Sequence, residues 1–141
     1  MELWQLVARE SIRDLVARYN ACGDAGRFDP MLALFAEDAV LELADGSHAG
    51  RPAIRAFFES VTQRTGAGRR AKFVRHFTAT HQIDLLSEHA ARGRCYFAVL
   101  TDAGLDQWGR YVDEYRCVAG RWLFAKRKVT LDAAVAGGWA G

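Results

Sequence analysis

Asp113 and Arg127 stand where strand alternation would otherwise place apolar side chains. From Trp108 to Val129 the chain reads as two adjacent strands. Alternate residues put Tyr111, Asp113, Tyr115 and Cys117 on one face of the first, and Leu123, Ala125, Arg127 and Val129 on one face of the second. An ionised group on an apolar face is unfavourable unless it is paired or hydrogen-bonded. The pattern therefore means either a structural ion pair between the two residues or a functional pocket.

The elements that must position such a site follow from periodicity and turn signals. Leu6, Ile12, Leu15, Val16 and Tyr19 approximate helical spacing, and the pattern stops at Gly23, which predicts a first helix of about 20 residues. Asp29 as N-cap and Pro30 in the first turn predict a shorter helix through Met31, Leu32, Leu34 and Phe35. A short strand, Ala39 to Leu43, leads into a turn over Ala44 to His48, and Gly50 to Val61 reads as a third helix. After a polar linker from Thr65 to Arg70, strands are expected at Phe73 to Leu86, Ala91 to Thr101, Gln107 to Val118 and Arg121 to Leu131. Helices first and an antiparallel meander afterwards make an α+β fold, with N-terminal helices packed on a strongly bent antiparallel sheet. Residues 1–132 are expected to form one domain, and 133–141 an Ala/Gly-rich tail that is either a lid carried by Trp139 or a frayed terminus.

Composition narrows the function classes. The 141 residues, half of them hydrophobic, suffice for one domain with a sizeable core. Nineteen basic against 17 acidic residues leave a net charge of +2 without a long like-charge block, so nucleic acid is not expected as a partner. Cys22, Cys95 and Cys117 are an odd count without metal-type spacing, which argues against a disulfide framework and against a bound metal. A Gly-rich phosphate loop is absent from the sequence, and no cofactor is expected. No apolar run approaches transmembrane length, and the N-terminus carries charges too early for a secretory segment. These features read as a soluble cytoplasmic protein with no membrane partner.

Three further phrases carry a resemblance. They are Tyr19-Asn-Ala-Cys-Gly-Asp24, Met31-Leu-Ala-Leu-Phe-Ala-Glu-Asp-Ala-Val40 and Gly50-Arg-Pro-Ala-Ile-Arg-Ala-Phe-Phe58. With the late strand pair, Arg110 to Tyr115 and Gly120 to Arg127, they resemble the SnoaL-like branch of the NTF2-like superfamily over nearly the whole chain. The resemblance implies a cone-shaped α+β barrel whose open end holds a mostly apolar cavity; fold alone does not assign chemistry. Scytalone dehydratase, bile-acid 7α-dehydratase and hexachlorocyclohexane dehydrochlorinase in that superfamily place an Asp at the end of helix one beside a His on the first long strand. Asp24 and His76 fall on those positions, Tyr19 on a site tyrosine of the bile-acid enzyme, and Arg127 on a final-strand arginine.

The four residues make chemical sense together. A neutral imidazole suits removal of a carbon-bound proton near neutral pH when a carboxylate fixes its tautomer and stabilises the imidazolium. Asp24 would orient His76 as the base. Tyr19 would hydrogen-bond a substrate carbonyl or leaving hydroxyl, and Arg127 would stabilise developing negative charge. Singly, each has a structural reading: Asp24 as a turn acceptor, His76 and Tyr19 as core residues, and Arg127 as the partner of Asp113. Expected walls are Leu15, Leu34, Phe35, Phe57, Phe58, Tyr96, Ala98, Tyr111, Tyr115 and Leu123, with Asp113 among them, which suits a small, flat hydrophobic ligand. His81 has the opposite parity to His76 and is expected outside the pocket unless a bulge intervenes.

Two function classes follow. One is a cofactor-independent lyase, of dehydratase type, or isomerase acting on a cyclic or polyketide-like molecule; the other is a noncatalytic binding or assembly module on the same scaffold. A steroid-isomerase mechanism is disfavoured, because Glu42 is followed by Leu43 where those enzymes carry their Asp base. The length argues mildly against a dioxygenase small subunit. Trp108, Trp122 and Phe124, read as lying on the face away from the cavity, predict a homo-oligomer, trimer or dimer.

Overall fold

The computed structural model describes residues 1–66 and 71–139, with the side chains of 63–66 left aside. Helix α1 (Leu3–Asp24) is followed by α2 (Phe28–Leu32), strands β1 (Phe35–Leu43) and β2 (Gly46–Ala49), helix α3 (Arg51–Gly66), and the long strands β3 (Val74–Leu85), β4 (Ala90–Thr101), β5 (Gly104–Val118) and β6 (Arg121–Ala134). Helix α1 opens with a capping box between Glu2 and Gln5 and buries Ile12, Leu15, Val16 and Tyr19 at helical spacing. That stripe packs against β3 and β6, while α3 packs on β1 and β2.

The six strands form one open, curved sheet in the order β2-β1-β6-β5-β4-β3. Helices precede and cover it, as the α+β reading expected. The sheet is not antiparallel throughout, because β1 runs parallel to β6. Helix two is shorter and β1 longer than periodicity suggested. The carbonyls of Leu34 and Phe35 are claimed by other elements: the Phe124 N–H donates to Leu34 at 2.9 Å, and Arg51 donates to Phe35 through Nε and Nη2 at 2.9 and 2.6 Å. The expected turn over Ala44 to His48 is a two-residue connection followed by β2, with Leu43 opposite Gly46. Of the expected linker, positions 67–70 lie outside the described residues, and Thr65 belongs to α3.

Two bulges reset the inward faces. In β3 the register shifts between Ala79 and Gln82, where Thr80 takes φ 56°, and this turns His81 toward the interior. In β6 the register shifts so that Glu114 faces Lys126 while Tyr115 faces Phe124, leaving Ala125 unpaired. Phe124 is therefore fully buried, which corrects its expected outward placement. Trp122 is also partly buried against the core, so Trp108 alone of the three remains substantially exposed.

Candidate functional site

The last turn of α1 and the start of β3 meet at one end of the sheet. Asp24, the final residue of α1, accepts from the His76 backbone N–H through Oδ2 at 2.9 Å. Its Oδ1 lies 2.6 Å from His76 Nδ1. Both side chains are mostly buried, yet both line the same cavity. A carboxylate on Nδ1 fixes the ring as the Nδ1–H tautomer and leaves Nε2 unprotonated, the form a general base requires.

The cavity has a volume of about 570 Å³. Helix α1 supplies a polar stripe of Tyr19, Asn20, Gly23 and Asp24, since residues one turn apart share a face. Opposite it lie Phe57 and Phe58 from α3, Leu41 and Leu43 from β1, and Phe97, Tyr111 and Val129 from the late strands. A mostly apolar chamber with a few convergent polar groups suits a compact hydrophobic ligand.

Arg127 and Asp113 are joined to each other beneath this chamber. Arg127 Nε and Nη2 donate to Asp113 Oδ1 and Oδ2 at 2.8 and 2.9 Å, and both side chains are fully buried. The guanidinium carbon lies 4.4 Å from the Tyr19 ring centroid, 3.8 Å from Tyr111 and 4.4 Å from Phe124. Burial acts to lower the Arg127 pKa, but the charge and hydrogen bonds of Asp113 outweigh it and the net shift is upward. Tyr115 donates to Asp113 Oδ2 at 2.9 Å, and His81 Nε2 lies 3.1 Å from the same hydroxyl. Burial first, and Asp113 second, raise the Tyr115 pKa. Desolvation likewise raises Tyr19 against the opposing charge of Arg127, and raises Tyr111 well above the ordinary phenol value. Tyr19 and Tyr111 are thus hydrogen-bond donors at neutral pH.

The structure brings together Asp24, His76, Tyr19, Phe57, Phe58 and Tyr111 around the cavity. It corrects the other expected walls. Tyr96 is 57 % exposed on the outer face, because β4 turns Cys95, Phe97 and Val99 inward; Ala98 shares its parity. Phe35, Tyr115 and Asp113, with Leu15, Leu34 and Leu123, are buried but do not border the cavity, and neither does Arg127. Asn20, Phe28, Met31, Phe97 and Gln107 border it without having been singled out. For Asn20 a signal existed, since it precedes Asp24 by four residues on the same helical face. Trp139 in the tail also borders the cavity. Among the described residues no three His, Cys, Asp or Glu side chains are grouped to hold a metal, and no helix is long and apolar enough to cross a membrane.

A family model described as a SnoaL-like domain matches residues 4–128. No curated protein matches the chain by sequence. Among solved structures, a putative scytalone dehydratase from Novosphingobium aromaticivorans is 23 % identical with a TM-score of 0.81, the match covering 96 % of this chain and 91 % of that one. A hexachlorocyclohexane dehydrochlorinase, LinA-type3, from Novosphingobium barchaimii is 18 % identical at a TM-score of 0.81, covering 97 % and 96 %. A protein of unknown function with a cystatin-like fold from Nostoc punctiforme is 22 % identical at 0.80, covering 91 % and 93 %. At these identities the likeness establishes the fold.

Proposed function

Given that the chain belongs to the SnoaL-like domain family, we propose that it is a cofactor-independent lyase that eliminates water or another leaving group from a small, hydrophobic, cyclic or polyketide-like molecule. The observation that carries this reading is the doubly bonded Asp24–His76 pair at the wall of an apolar cavity. His76 Nε2 takes a proton from a carbon next to an activating carbonyl. The electron pair of that C–H bond becomes the new C=C bond as the leaving group departs from the adjacent carbon. Where the group is hydroxyl, it leaves as water with the proton returned from the imidazolium. Asp24 stabilises the transient cation without taking up its proton. Tyr19, held protonated by its burial, donates to the substrate carbonyl as negative charge develops there. Isomerisation needs only that the same proton return to another carbon.

A noncatalytic binding module is the second reading. It is favoured by Arg127, whose charge is committed to Asp113 below the cavity rather than offered to a ligand. Nitrogen-detected NMR of His76 separates the two. The enzyme reading expects the Nδ1–H tautomer, its loss in Asp24→Asn, and a shift of the Nε2 resonance when a bicyclic β-hydroxy ketone binds. An Nε2 that is indifferent to ligand and to Asp24→Asn sinks the enzyme reading.

The same proposal includes self-association. Phe77, Tyr96, Trp108 and Val112 are exposed on one face of the late strands, and the ladder sets Phe77 beside Ala98 and Trp108 across three of them. A second copy covering this patch makes a dimer or trimer. A light-scattering mass equal to one 15.7 kDa chain would rule it out.

A further inference from the structure

Asn20 is buried, with 7 % of its surface exposed, and it borders the cavity. Its Nδ2 donates to the Tyr111 hydroxyl at 3.3 Å. Its Oδ1 has no hydrogen-bond partner among the described residues. A buried amide left half satisfied is unfavourable, so such groups mark a contact completed by something else. The Tyr111 hydroxyl can donate or accept. Whichever amide atom meets it, the other is therefore left over, and a hydroxyl is the simplest group able to satisfy either. Around this polar point the surfaces are aromatic: Tyr19, Phe58, Phe97 and Tyr111.

We propose that the Asn20 carboxamide is a specificity-determining contact that takes a hydroxyl of an otherwise apolar ring ligand, one helical turn before Asp24. The contact deepens the proposed function and rests on its cavity, but not on its chemistry. Asn20 chooses the ligand and orients the ring; Asp24 and His76 act on it. An apolar isostere lacking the hydroxyl leaves the amide unpaired, and for this reason sites of this kind discriminate strongly.

The test uses β-naphthol and β-methylnaphthalene, which differ by a hydroxyl against a methyl group of similar size, titrated calorimetrically into the full chain. The ratio of their affinities cancels the shared hydrophobic contribution. Asn20→Leu is expected to lower the naphthol-to-methylnaphthalene ratio about ten-fold, and Asn20→Ala, which retains helix propensity should leucine overpack, lowers it in the same direction. In both Asn20 variants the Nδ1–H signal of His76 is expected unchanged from wild type, so loss of the dyad and loss of the Asn20 contact are read separately. A ratio unchanged in both Asn20 variants overturns the proposal, whatever becomes of His76.

Discussion

One carboxylate, Asp24, engages His76 twice, through the backbone N–H at 2.9 Å and the ring Nδ1 at 2.6 Å. The end of α1 is thereby tied to the start of β3, and the imidazole is fixed in position and tautomer by the same group. Asp24→Asn keeps the shape but removes the charge that stabilises the imidazolium. Elimination of a bicyclic β-hydroxy ketone is expected to slow by about 100- to 10,000-fold in kcat with a small change in KM. His76→Gln should fall to the same level, and the double variant no further, because the two residues act as a unit.

The Arg127–Asp113 pair has a different expected signature, because it is fully buried and supports the rings of Tyr19 and Tyr111 from below. Arg127→Met strands a buried carboxylate and should reduce stability by about 3–5 kcal/mol. Adding Asp113→Leu should restore much of that loss. Urea unfolding of the two single variants and the double variant gives the coupling directly. A double variant as unstable as the sum of the singles would mean that the residues do not act as a pair.

Much of this was legible in the chain. Asp113 and Arg127 were identifiable because a charge every second residue among apolar neighbours has few explanations, and alternation put both on the inner face, where the ladder pairs them. Strand β4 gave no such guide. From Cys95 to Leu100 every residue is apolar, so alternation could not tell that Cys95 and Phe97, and not Tyr96 and Ala98, face inward. Phe124 and His81 escaped for another reason: each adjoins a one-residue irregularity, at Ala125 and Thr80, and a single extra residue puts the side chains on its two sides into opposite alternation. The β1–β2 hairpin carried an available signal in Asp45-Gly46, the dipeptide typical of tight hairpins.

His81 predicts how stability depends on acid. Burial lowers its pKa; nearby Asp113 opposes this, and Arg127 and Arg13 reinforce it. The unfolded chain takes up a proton at the ordinary histidine value, about 6.5, whereas the folded chain takes it up only at lower pH. The stability linked to His81 is thus complete above that value and is lost as pH falls toward the folded pKa. The urea midpoint of the wild type should decline as pH falls below about 6.5, and His81→Asn should flatten that decline. An identical slope in the variant would assign the acid sensitivity to other groups.

The tail offers a kinetic prediction. Asp106 Oδ1 accepts the Trp139 N–H at 2.5 Å, and its carbonyl accepts the Val135 N–H at 2.7 Å, so one buried residue anchors the turn that carries Trp139 to the cavity edge. A Cβ at position 138 would lie 2.3 Å from Asp106 Oδ1, so any larger residue there must displace the carboxylate that anchors the turn. Gly138→Ala should lift the turn off Asp106 and expose the mouth, speeding release of β-naphthol by about three- to ten-fold in stopped-flow fluorescence. Trp139→Ala should accelerate release similarly, because it removes the ring that the turn delivers. If the tail closes the cavity, the double variant releases ligand no faster than either single one, since lifting the turn and removing its ring abolish the same contact. Additive effects would instead mean that Gly138 and Trp139 act on different parts of the wall, and the tail would not be a lid.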